Sequence, residues 1–150
     1  MQCVILKSIK KHIINLAVEK SVDLIGISSS VPDYKLCWQL NQDFNFEFKR
    51  ISDLVLYNDK KNDTQTFSLY KYSIDDILVI FLGNKIEKGF FFDELKMIDY
   101  FIILYNNQNK TISVDELKEN LKKTSGINGV FKIDAKSLKA KSKLNFEIPE

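Results

Sequence analysis

Two neighbouring stretches decide the fold: Thr66-Phe67-Ser68-Leu69-Tyr70-Lys71-Tyr72 and Ile77-Leu78-Val79-Ile80-Phe81-Leu82. Aromatic and β-branched side chains suit a pleated, half-buried surface, and the second stretch is an unbroken apolar run of strand length. Asp75-Asp76 lies between them, a residue type favoured in turns because its carboxylate bonds to the nearby backbone. The two stretches therefore predict a strand pair joined near Asp75-Asp76, within an antiparallel meander.

Working outward, the polar stretch Asn58 to Asp63 reads as a loop preceded by the apolar run Leu54-Val55-Leu56-Tyr57. Before that run, Phe44-Asn45-Phe46-Glu47-Phe48-Lys49 alternates strictly between apolar and polar, the period of a half-buried strand, and is the clearest strand pattern in the chain. Ser30-Val31-Pro32-Asp33 reads as a helix start, with a Ser cap, Pro in the first turn and an acid three residues after the cap. The helix carries Cys37, Leu40 and Phe44 on one face. A short apolar run precedes it at Asp23-Leu24-Ile25-Gly26-Ile27. Residues 9 to 18 fit either a strand or part of a helix running back to Val4, with the strand preferred.

On the other side, Gly83-Asn84 and Lys88-Gly89 punctuate a turn region, and Phe90-Phe91-Phe92 opens another run. A helical turn over Asp93 to Met97 is compatible with the sequence, and Ile98 to Tyr105 is strand-like. Ser113-Val114-Asp115-Glu116 is a capping box for a second helix whose apolar stripe is Val114, Leu117 and Leu121. Gly126 is placed to end it, and Gly129 to Asp134 is a strand. The expected fold class is α+β: an antiparallel or mixed sheet of about five to seven strands with two main helices packed on it.

A chain of 150 residues suits one globular domain, 1–150, in which roughly 68–70 % of the unfolded surface is buried. With 45 % hydrophobic and 28 % charged residues and a formal net charge of +2, no long-range pull on polyanions is implied. The two cysteines, Cys3 and Cys37, form neither a Cys-x-x-Cys pair nor a disulfide framework, which suits reduced intracellular thiols. The N-terminal apolar run is too short for a signal-peptide core. Apolar stretches are likewise too short for a membrane helix, which needs roughly 20 residues. The expectation is a cytoplasmic protein with no membrane association.

Asp23-Leu24-Ile25-Gly26-Ile27-Ser28-Ser29, continuing into Asp33-Tyr34-Lys35-Leu36-Cys37-Trp38-Gln39-Leu40-Asn41, resembles the N-terminal signature of a family of bacterial proteins named for an IPExxxDY motif. Asp99-Tyr100 before Phe101-Ile102-Ile103 is similar to the end of that motif. Ser125-Gly126-Ile127, Phe131-Lys132-Ile133-Asp134 and Leu144-Asn145-Phe146 extend the likeness over nearly the whole chain. One departure is plain: Phe92-Asp93-Glu94-Leu95-Lys96 stands where the family has Ile-Pro-Glu. The resemblance implies a cytoplasmic protein of the Bacteroidota and assigns no activity.

No catalytic signature is present: HExxH, GxSxG, GxGxxG and the P-loop are all missing, and no cofactor or metal site is expected. His12 is the one histidine, without a motif around it, and reads as a surface or strand-face residue before a general base. Cys37 lies on the apolar helix face, where a free thiol packs as a small hydrophobe. Asp75-Asp76 and Asp93-Glu94 are carboxylate pairs that suit turns better than a cation site.

Two surfaces are candidates for recognition. Tyr34 and Trp38, one helical turn apart, with Asp99 and Tyr100 beside them, fit an interaction patch. The competing reading, which is preferred, makes them a core helix face and a buried tyrosine. Lys132, Lys136, Lys139, Lys141 and Lys143 form a basic strip able to hold phosphates, while Lys139, Lys141 and Lys143, alternating with Ala140 and Ser142, equally suit an edge strand guarded by lysines, which is the preferred reading. The expected function is a non-enzymatic adaptor or regulatory protein with an unidentified protein partner. RNA or ribosome binding through the lysines is the second reading, and an enzyme without a recognisable motif the third.

Overall fold

The computed structural model describes residues 21–149. His12, Cys3 and the strand expected over residues 9 to 18 lie outside the described residues. The fold is α+β, with a main sheet of six antiparallel strands and two α-helices among the described residues.

In chain order the elements are β1 (Val22–Ser28), α1 (Asp33–Phe44), β2 (Lys49–Arg50), β3 (Leu54–Asn58), β4 (Asp63–Phe67), β5 (Leu69–Ile74) and β6 (Ile77–Gly83). These are followed by β7 (Lys85–Ile86), β8 (Gly89–Phe90), β9 (Tyr100–Tyr105), α2 (Val114–Leu121) and β10 (Gly129–Ile133). The main sheet runs β10-β1-β9-β6-β5-β2, and the hairpins β3-β4 and β7-β8 stand apart from it.

The expected pair β5-β6 is antiparallel in the register Ile74↔Ile77 to Leu69↔Leu82, with Asp75 at its turn in the left-handed region (φ 52°). Beside it, β6 and β9 pair from Leu78↔Tyr105 to Gly83↔Tyr100, so two apolar runs form the middle of the sheet. Alternate residues feed two cores. Leu24, Ile80, Leu82, Phe101 and Ile103 enter one, and Ile25, Ile27, Val79, Phe81, Ile102 and Leu104 enter the other. Burial on both faces explains why β6 and β9 read as continuous apolar runs rather than alternating ones.

Both helices cover the same face, α1 through Leu36, Cys37 and Leu40 and α2 through Leu117 and Leu121. Among the described residues the opposite face is covered without an α-helix, by Leu54 and Phe67 of the β3-β4 hairpin, by Phe91, Phe92 and Ile98, and by Leu138, Leu144 and Phe146 of the C-terminal segment. Tyr105 ties that segment down by donating its hydroxyl to the Leu144 carbonyl at 2.9 Å.

Four local expectations are corrected. Residues 45 to 48 are not a strand: Asn45, at φ 55°, ends α1, and only Lys49–Arg50 pair with β5. The alternation is real in burial but arises from packing, because Phe46 and Phe48 turn onto α1's layer and meet Tyr72. Thr66 to Tyr72 is two strands in different sheets, broken at Ser68. Ser30 does not cap α1, which begins behind Pro32 with no side-chain cap. Finally, Lys141–Asn145 is a 3-10 turn rather than a lysine-guarded edge strand. The capping-box helix does form, with Glu116 N–H donating to Ser113 Oγ at 3.3 Å.

Candidate functional site

The connection from β1 into α1 is held from below by the first residues of the β9 run. Ser29 N–H donates to Asp99 Oδ2 at 2.7 Å, and the Tyr100 hydroxyl donates to the Val31 carbonyl at 2.6 Å. Ser29 Oγ in turn donates to the Gly126 carbonyl at 2.5 Å and accepts from Val31 N–H at 3.1 Å. Asp99 Oδ1 pairs with Lys85 of β7 at 2.8 Å. The segments around Ser28-Ser29 and Asp99-Tyr100, some 70 positions apart, are thus one hydrogen-bonded clamp.

This arrangement decides the role of Asp99. Its side chain is 20 % exposed and both carboxylate oxygens are engaged, so it is a satisfied structural group. An unpaired acid on an apolar strand would be costly to bury and would point to an exposed recognition patch, but Asp99 is paired and that argument does not arise. Tyr100 is likewise half-buried, stacked on Phe81 with centroids 5.1 Å apart.

Tyr34 and Trp38 go the other way. Each is 61 % exposed, although α1 buries Leu36, Cys37 and Leu40 on its inner side. The preferred expectation of a core helix face is therefore wrong for these two residues. Period 3.6 puts residues 34 and 38 on one stripe, well away from the stripe of 33, 37 and 40.

Beside α1's first turn opens a cleft of ≈ 470 Å³, lined by residues that include Asp33, Arg50, Asp53, Lys85, Glu87 and Tyr100. Asp33 Oδ2 accepts from the Tyr70 hydroxyl at 3.2 Å, while its Oδ1 accepts from Tyr34 N–H at 2.9 Å. Arg50 is fixed by the Asp53 carboxylate, by the Leu69 carbonyl at 3.4 Å and by the Tyr70 ring, whose centroid lies 5.3 Å from its guanidinium carbon. The cleft is open and polar, and it adjoins the exposed aromatics through Asp33-Tyr34.

Tyr100 of the cleft, with Tyr70 and Cys37 behind it, holds its proton more firmly than usual. Burial, then the Asp33 and Asp99 charges, pushes Tyr100 up to about 12. Burial and Asp33 raise Tyr70 further still. Burial, then Asp33, raises the Cys37 thiol to about 12, so the thiolate that a nucleophile requires is scarce at neutral pH. A general acid or base works best with a pKa near the operating pH, and these groups are tuned away from it. They are donors that hold structure.

The carboxylate pairs sit in turns, as expected, and Glu94 Oε1 accepts from Lys139 N–H at 2.9 Å. Among the described residues, no group of three or more His, Cys, Asp or Glu is arranged to hold a metal ion. The C-terminal lysines are divided. Lys132, Lys136, Lys139 and Lys141 are exposed, Lys132 pairing with Asp115 at 3.2 Å, whereas Lys143 is half-buried and its Nζ donates to the Phe91 carbonyl at 2.6 Å.

Ser29 and Lys85 carry no local sequence signal for their roles, because Ser29 meets Asp99 and Gly126, 70 and 97 positions away, and Lys85 pairs with Asp99 across the β7-β9 connection. No family model and no curated protein matches the sequence. Among the described residues, no helix is long and apolar enough to cross a membrane.

Proposed function

We propose that this chain is a non-enzymatic binding protein, an adaptor or regulator that docks a protein partner on the outer stripe of α1, with the adjoining cleft as part of the site. The observation that carries the reading is the exposure of Tyr34 and Trp38 on a helix whose other side is packed. Aromatic side chains supply large contact area at low entropic cost and dominate interface energetics, so two of them left in solvent one turn apart favour docking. The raised pKa of the buried Cys37 thiol disfavours it as a nucleophile and is compatible with a binding role. The likeness to the IPExxxDY family and a cytoplasmic location belong to the same proposal.

The test is a pull-down of the tagged protein from extract of its native cells, with and without ribonuclease, comparing the natural chain with the Tyr34→Ala/Trp38→Ala variant. A stoichiometric protein that survives ribonuclease and is lost with the variant supports the reading. Turnover of a defined substrate, unchanged in that variant, overturns it. RNA binding is the second reading, favoured by the exposed Lys136, Lys139 and Lys141 on one C-terminal segment. It requires recovery that collapses on ribonuclease treatment and affinity that falls steeply with salt.

A further inference from the structure

The charge balance of the cleft points to the chemistry of the partner. Its lining carries Asp33, Asp53 and Glu87 against Arg50 and Lys85, and Asp99 stands behind Lys85. Both cations are already committed, Arg50 to Asp53 and Lys85 to Asp99. Asp33 accepts only from neutral donors, the Tyr70 hydroxyl and a backbone N–H, and Glu87 is exposed on the β7-β8 turn. Among the described residues, Asp33 and Glu87 therefore have no cationic partner. The N-terminal end of α1 contributes about half a positive charge, less than either one alone.

The exposed aromatics add an independent preference of the same sign. Tyr and Trp rings attract cations through their negative faces, and the stripe starts at the residue next to Asp33. From Asp33 to Trp38 the helix rises roughly 7.5 Å, a span that two to three residues of extended peptide cover. A cleft edged by carboxylates next to an exposed aromatic stripe is suited to Lys and Arg side chains and repels acidic ones.

We propose that the cleft and the α1 aromatic stripe together receive an extended, Lys- and Arg-bearing peptide segment of the partner protein, with one cationic side chain between Asp33 and Glu87 and the next over Tyr34 or Trp38. This rests on the binding reading above and names the partner's chemistry.

Trp38 is the chain's single tryptophan, so its fluorescence reports the site directly. The probe is a short synthetic peptide alternating Gly with Arg and Lys, titrated into the full chain beside a matched peptide carrying Glu. The expected result is a saturable change in Trp38 emission with the basic peptide alone, weakening as salt rises. Glu87→Gln, at an exposed position, weakens binding roughly threefold, and the Asp33→Asn/Glu87→Gln pair roughly tenfold, the range for exposed charge pairs. Equal response to the acidic peptide, or unchanged affinity in both variants, overturns the inference. If neither peptide perturbs Trp38 while the pull-down still loses its partner with the aromatic variant, the basic partner is wrong and the docking surface stands. If both experiments are negative, both readings fall.

Discussion

Replacing Asn84 with Ala should cost about 4 kcal/mol of stability, and the figure follows from counting what the amide holds. Asn84 is fully buried at the end of β6. Its Nδ2 donates to the Ile98 carbonyl at 2.7 Å and to the Leu95 carbonyl at 3.0 Å, and its Oδ1 accepts from Phe92 N–H at 2.9 Å. These bonds close the turn that delivers Asp99 to the Ser29 clamp. On truncation the Leu95 carbonyl keeps Ile98 N–H, 3.1 Å away, but the Ile98 carbonyl and Phe92 N–H lose their side-chain partner. Each orphaned buried group costs about 1–3 kcal/mol, hence the total of about 4, a large share of the 5–15 kcal/mol typical of a domain.

Urea unfolding followed by circular dichroism measures it, with an unchanged slope as the check on two-state behaviour. Asn84→Asp supplies a second reading. Burial and two facing carbonyls favour the protonated carboxyl, raising its folded-state pKa above the unfolded value. The stabilisation from that proton is therefore present at low pH and lost as pH rises, so the variant should approach the natural protein in acid and fall away near neutrality. A loss below about 1 kcal/mol for Asn84→Ala, set against that expected 4, would refute the reasoning.

A Cβ at Gly26 would lie 2.8 Å from the δ-methyls of Ile133 and Ile98, so Gly26→Ala should destabilise by about 1 kcal/mol and Ile133→Val should relieve part of it, both read by urea midpoints. In a Cys3→Ser background, Cys37 should alkylate only as fast as the chain unfolds, because it is buried and its thiol is held protonated; rapid labelling of the native protein would contradict this. Tyr70, Tyr100 and Tyr105 all have raised pKa values, chiefly through burial. Their protonated forms favour the fold fully below the ordinary value of 10.0, and this contribution is lost as pH climbs from there, for Tyr100 through about 12. Alkaline unfolding tracked together with tyrosinate absorbance should show both in that window.

The elements that were legible in the sequence are those whose signal is local. Ser113 to Glu116 states its own cap, and Ile77 to Leu82 with the run from Tyr100 to Tyr105 announces buried strands by unbroken apolarity, so α2 and the sheet centre follow from pattern, the strand starting two residues later than Ile98. Phe44 to Phe48 shows the limit: alternate burial also arises where aromatics from an extended segment pack on a neighbouring layer, with no ladder bonds. Thr66 to Tyr72 looks continuous because nothing at Ser68 says that the chain changes sheet there.

The candidate site divides in the same way. Sequence placed Tyr34 and Trp38 on one helix stripe by the 3.6-residue period, but solvent or core on that stripe was settled by which face of α1 lies over the sheet. It also drew Asp99-Tyr100 to attention without revealing that the pair clamps Ser29 and Val31, 70 and 69 positions away. Hydrogen bonds and charge pairs act over about 3 Å in space whatever the separation along the chain. The cleft therefore exists only once the ends of α1, β2, β4, β6, β7 and β9 have come together.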